Sequence, residues 1–248
     1  MFQSSTKSIQ IIQIFTLILS LVGLFFFNFT IENILISFIF YFLYSGIGIS
    51  LMMHRYYSHK SFQFRFNIIK HIFNIFAILA GRGSMLGWVY IHRLHHMYAD
   101  TKNDPHLLSS NFIKILFPDY STFYKKIDLR VIKDLLNTTN IKIDKYYNLI
   151  IIFWVLIISY LLGIEFLYFA WIIPVMITHL VLNSFLYYGH TEKEKICEDK
   201  SKNSWIYALI IWGEGWHNNH HINPKNWKYS NKWYELDIIS FIIRMIKI

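Results

Sequence analysis

The chain has 248 residues, of which 54% are hydrophobic, 19% aromatic and only 16% charged. With a mean hydropathy of +0.34, this balance excludes an ordinary soluble domain and points to a membrane protein. A net charge of +9 would suit a nucleic-acid binder, but the charges sit beside apolar runs and no nucleic-acid motif is present, so no such partner is expected.

In chain order, residues 9–29 and 34–53 are each about 20 residues long without a basic side chain, enough to cross a hydrocarbon core of ~30 Å. Residues 146–163 and 166–186 form a second pair. Each pair is joined by a short turn, Asn28 to Asn33 and Gly163 to Glu165, so the expectation is an all-α membrane protein of four transmembrane helices in two hairpins. The first run is too long for a signal peptide and no small-residue cleavage site follows it, so it is expected to stay as an anchor. All 24 Lys and Arg fall in the N-terminus, in 54–145 or after 187. Both termini and the large middle loop, 54–145, are therefore expected on the cytoplasmic side and the two short turns on the other, in a multi-pass protein. One domain, 1–248, is expected, with a helical cap built from 54–145 and 187–248. Within the cap, 62–80 and 238–248 mix apolar and polar residues as a helix lying at the membrane interface does, or as an ordinary buried helix does. The single cysteine, Cys197, has no partner for an internal disulfide.

Twelve histidines are present, and eight fall into three clusters: His54 and His59 (HRYYSH), His92, His95 and His96 (HRLHH), and His217, His220 and His221 (HNNHH). On a helix, the second and third histidines of H-x2-HH lie about 60° and 40° to either side of the first, so one helix can serve two neighbouring metals. His54 and His59 are about 140° apart on an ideal α-helix, so that helix is expected to end or bend between them. Imidazole suits zinc, copper, iron and nickel, but a structural zinc site closes with four ligands. Eight histidines suit two metals better, with iron the leading choice and copper open. His71 reads as an interfacial residue. His106, in Asn103-Asp104-Pro105-His106, reads as a residue that caps or orients the second cluster.

These clusters, with HRLHH followed by Asp104-Pro105-His106 and with Gly213 to His221 reading GEGWHNNHH, resemble the stearoyl-CoA-type membrane fatty-acid desaturases over residues 40 to 230. The resemblance implies a cytoplasmic di-iron site that uses O2 to insert a cis double bond, delta-9 in position, into a long acyl chain carried on coenzyme A or another carrier. The eight clustered histidines would bind iron. Asn183 would sit at the metals, as part of an Asn-Ser-x-x-His segment whose histidine is a ninth ligand. Here that segment ends in Tyr187. His179, Asn183, Tyr187 and His190 share one face of a continuous helix. His190 is the expected substitute, with His179, Tyr187 or an eight-histidine site as competitors.

Because an unactivated methylene has no acidic proton, the oxidising power must come from a metal and oxygen rather than from acid and base side chains. Two electrons per turnover imply a separate donor of ferredoxin or cytochrome-b5 type. Trp88 and Tyr90 are candidate linings of the acyl channel. The rival readings are a membrane hydroxylase or ketolase, and a metal-binding membrane protein without catalysis.

Overall fold

The computed structural model describes residues 3–106, 114, 116–125, 127–190 and 199–248. Cys197 lies outside them. Among the described residues the architecture is helical, with two isolated β-bridges, Phe64 to Lys247 and Asn203 to Trp216, and no strand.

Helix α1 (Gln3–Gly23) stops six residues before the end of the first apolar run. Phe25 to Phe29 belong to the turn, and they are apolar because Phe27 and Phe29 pack on Tyr168 and Phe169, with ring centroids 4.8 and 5.1 Å apart for Phe27–Tyr168 and Phe29–Phe169. Hydropathy alone does not separate such a turn from a helix. Helix α2 (Ile31–Tyr41) begins at Thr30, whose side chain accepts from the Asn33 amide. It runs on without a break as a π-helix (Phe42–Ser58).

The chain then forms α3 (Asn67–Leu79), α4 (Met85–Tyr98), the short α5 (Ser121–Lys125) and a 3-10 helix (Leu129–Leu135). Helix α6 (Thr138–Leu167) is broken at Gly163, where φ 86° and ψ 162° are open to glycine and not to a side chain. A π-turn (Tyr168–Ile172) leads into α7 (Ile173–Tyr188). Then follow α8 (Trp205–Ile210), α9 (His217–Ile222) and α10 (Ile238–Ile246).

Two helical stretches are long and apolar enough to cross a membrane, Ile31–Ser58 with 28 residues and Thr138–Tyr188 with 51, the latter divided at Gly163. Leu149, Ile152, Phe153, Leu156 and Tyr160 are exposed on α6, an apolar surface that water would not tolerate but lipid does.

The two turns meet at one end of the bundle, where Asn33 donates to Glu165 at 3.0 Å. From there α2 and the segment leading into α7 run side by side, joined by Ser37 to the Phe169 carbonyl and Tyr44 to the Ala170 carbonyl. Helix α1 runs back against them: its Ser20 carbonyl accepts from Tyr168, while Gln13 reaches the Leu116 carbonyl. Nine of the histidines gather at the ends of the π-helix, α4 and α7 and on α9, away from the turns.

Candidate metal centre

The π-helix answers the angular problem posed by His54 and His59. Its amide bonds run from residue i+5 to residue i, and the His59 amide donates to the His54 carbonyl at 3.2 Å. The helix ends at Ser58, just before His59, in keeping with the angular argument, but it reaches that point as a π-helix. It widens, and the two rings come within 4.9 Å. Gly48 permits this helix to press against α3, since a Cβ there would stand 2.6 Å from the Phe76 carbonyl oxygen. Arg93, inside HRLHH, locks the end of the π-helix by donating to the Tyr57 and Ser58 carbonyls while pairing with Asp134.

Nine histidines converge in two groups, within each of which the ligand nitrogens lie within 4.8 Å of one another: His54, His59, His92, His96 and His220, and His95, His190, His217 and His221. Each H-x2-HH helix addresses both groups. In α4 the i, i+4 pair His92 and His96 faces the first group and His95 the second. In α9 the pair His217 and His221 faces the second and His220 the first. Residues four apart share a helix face, and the one between them points to the side.

His190 belongs to the second group, but not by continuing α7. The helix ends at Tyr188, and Gly189 turns the chain so that the His190 ring enters. A Cβ on Gly189 would stand 3.0 Å from the Phe185 carbonyl oxygen and 3.2 Å from the His217 ring. Tyr187 packs on Tyr188. Asn183 and His179 are not among the nine. The Asn183 oxygen and the His179 Nδ1 both accept from Arg82, at 3.0 and 2.9 Å, and the Asn183 amide donates to the Leu116 carbonyl. Asn183 thus has an arginine contact that sequence reasoning did not foresee. His106 stacks edge-on against His95 and bonds Tyr120, outside both groups.

Carboxylates orient the rings. His54 Nδ1 meets Glu214, His95 Nδ1 meets Asp104 at 2.9 Å, His190 Nδ1 meets Asp100 at 3.3 Å and His221 Nδ1 meets Asp199 at 2.6 Å. A carboxylate only accepts, so each of these Nδ1 atoms carries the proton and each Nε2 presents a lone pair inward. Glu214 is itself held by Ser50 and by Arg55, whose guanidinium also reaches Asp237.

Inside, the lone pairs have no protein partner that explains them. His95 Nε2 and His221 Nε2 are buried without a hydrogen bond. His54 Nε2 faces His220 Nε2 at 3.0 Å, and that atom also faces His96 Nε2 at 3.0 Å. Convergent lone pairs repel one another unless a cation lies between them. The residues therefore fit metal ions, and nine nitrogens together exceed what one tetrahedral zinc takes.

Electrostatics agree. Burial, and then the charge of neighbouring imidazoles, hold His59, His92, His96, His217 and His220 well below the ordinary histidine value. Burial lowers His221 to about 4 although Asp199 opposes it. Burial pushes the Asp104 carboxyl up, but His95 more than offsets this and holds it at about 2. Glu214 is likewise held at about 2, burial being outweighed by His54 and Arg55. These rings are thus neutral and these two acids charged, the states a cation needs.

A cavity reaches this centre, lined by His54, His92, His95 and His217 and otherwise mainly by apolar side chains, Trp88, Ile91, Leu182 and Phe185 among them. Trp88 stacks on His92 with ring centroids 4.9 Å apart. Tyr90 does not line the cavity. Two residues along a helix is about 200°, and Tyr90 faces the other way into a core with Tyr124 and Ile132.

The family model "Fatty acid desaturase" matches residues 29–244. The chain is similar to the sn-1 stearoyl-lipid 9-desaturase of Synechocystis sp., 33% identical over 226 residues that cover 86% of this chain and 68% of that one. It is similar to Delta-9 acyl-lipid desaturase 1 of Arabidopsis thaliana, 29% identical over 236 residues, 90% of this chain and 74% of that one. Acyl-CoA desaturase 1 of Saccharomyces cerevisiae is 26% identical over 229 residues, 85% of this chain but 44% of that longer protein.

Proposed function

Because the chain belongs to the fatty acid desaturase family and is an oxidoreductase, we propose that it inserts a cis double bond at the delta-9 position of a long saturated acyl chain, at a di-iron centre held by the nine converging histidines. The observation that carries this reading is the mainly apolar cavity that the imidazoles of His54, His92, His95 and His217 also line. The fuller matches to lipid desaturases favour an acyl group esterified to a membrane lipid over the coenzyme A thioester suggested by the sequence motifs.

The irons, when bound, would supply with dioxygen the oxidising power that breaks two unactivated C–H bonds. This chain's residues do the rest. Trp88, Ile91, Leu182 and Phe185 hold the acyl chain and keep water out. Asp104, Asp100, Asp199 and Glu214 fix the ring orientations and keep the ligands unprotonated on Nε2. Two electrons per turnover would come from a separate donor of ferredoxin or cytochrome-b5 type.

In this reading the four apolar helical segments all span the bilayer, with the end that carries the Asn33–Glu165 contact on the far side and the centre and both termini in the cytoplasm. Exposed Ile68, Ile72 and Ile75 on α3, and Phe241 and Met245 on α10, support two helices lying at the membrane surface.

The test is expression in cells whose fatty acids are profiled by mass spectrometry. A new monounsaturated chain with the bond nine carbons from the carboxyl, lost with His96→Ala, is expected. An alcohol in place of the alkene would overturn desaturation, and no new product would overturn both.

A further inference from the structure

Two arginines lie inside the molecule, and they are treated differently. Arg55 has two carboxylates, Glu214 and Asp237, each at 3.0 Å. Arg82 has none among the described residues. The turn that carries Arg82 inward is built for it: Gly81 and Gly83 on either side have φ +73° and +85°, a conformation glycine adopts without strain. A Cβ on Gly81 would stand 2.7 Å from Val175 Cγ1, so the turn sits tight on α7.

Arg82 is 5% exposed. Its Nη1 donates to His179 Nδ1 and Asn183 Oδ1, both neutral acceptors, and its Nε is buried with no acceptor. An arginine offers only donors, so His179 must present a lone pair at Nδ1 and cannot be protonated there. No partner therefore cancels the charge, and a guanidinium does not lose its proton to escape burial. The same side chain lines the acyl cavity, on the wall with Tyr120, His106 and Trp88. A buried, uncompensated cation facing an apolar cavity is costly unless something that enters the cavity brings the opposite charge.

We propose that Arg82 is an anion-recognition point within the cavity, and that the ligand it reads is the carboxylate of a free long-chain fatty acid. The apolar wall takes the chain and the guanidinium takes the carboxylate, through the part of its fork that lines the cavity. A neutral ester or alcohol of the same length gains the wall but leaves the charge uncancelled. The inference rests on the reading of the cavity as an acyl site, and its consequence is that free fatty acid occupies the place of the acyl substrate and competes with it.

The test measures binding of tritium-labelled myristate and tetradecanol to the purified, metal-loaded full chain, for the natural protein, Arg82→Lys and Arg82→Gln. Myristate binding on the order of tenfold tighter than tetradecanol is expected, with the preference kept in part by Arg82→Lys and lost in Arg82→Gln. Equal binding of acid and alcohol by the natural protein overturns the proposal while leaving the acyl cavity standing, as does a preference that survives Arg82→Gln. Failure of both ligands to bind overturns the cavity reading and this proposal together. The comparison of the two ligands on the natural protein decides the matter even if a variant does not fold.

Discussion

His190 Nε2 stands 2.9 Å from His217 Nε2, and the other nitrogen of His190 is turned to Asp100. That contact completes a group of four nitrogens that would otherwise be three. Replacing His190 by Ala is expected to cut bound iron from about two per chain to about one and to abolish turnover, whereas Tyr187→Phe leaves both unchanged, since the Tyr187 ring packs on Tyr188. Metal analysis of the purified variants checks this. Full iron content in His190→Ala would rule out the ligand role.

Asp104 and Asp199 touch no lone pair in the centre, yet each fixes the tautomer of a histidine that does, His95 and His221. Asp104→Asn and Asp199→Asn keep the shape but offer a side chain that can present its amide donors to Nδ1. Each is expected to weaken iron binding by about 10- to 100-fold. Competition with a chelator, followed by metal analysis, measures it, and affinities equal to the natural protein's would show that the carboxylates only pack.

The histidine framework was open to reading in the sequence, because H-x2-HH on a helix has only a few angular outcomes. The division of α4 and α9 between two groups follows directly from that spacing. The widening of the helix at His54 was not readable, since an i+5 bonding pattern leaves no mark in residue type that separates it from a bend. His190 could be named from the missing histidine at Tyr187, although it arrives through the Gly189 turn and not along the helix face. Glu214 had a signal, three residues before His217 in GEGWH. Asp199 stands alone in the sequence, and only folding brings it to His221. Arg82 was equally silent, because two glycines around an arginine read as an ordinary loop.

Acid should release the metal and then destabilise the protein. In the folded chain His59, His92, His96, His217 and His220 are held well below 6.5, and His221 at about 4. In the unfolded chain they titrate near 6.5, so below that pH the unfolded state binds more protons and stability falls with falling pH. Between pH 6.5 and about 4, iron content and melting temperature are expected to drop together, and the metal-free protein to melt lower than the loaded one throughout. Melting curves in detergent at stepped pH test this. A metal-free protein whose melting temperature is flat across the window would contradict it.

Arg55 predicts a loss of a different kind. It is fully buried, pairs with Glu214 and Asp237, donates to the Trp227 carbonyl, and lies 3.8 Å from the centre of the Tyr229 ring. Arg55→Met keeps much of the volume but leaves two carboxylates buried without their cation, a change that typically costs about 3–5 kcal/mol. For a chain of this size that is a fall in melting temperature of roughly 10 °C. Glu214 would also lose the partner that helps hold it charged beside His54, so iron affinity should fall with stability. Arg55→Lys separates the two effects. A single ammonium cannot match the planar fork that spans both acids, but it keeps the charge, so Arg55→Lys should recover more iron affinity than stability. Differential scanning calorimetry and iron analysis on the same preparations give both numbers, and a stable Arg55→Met protein would mean that the buried pair contributes less than its burial implies.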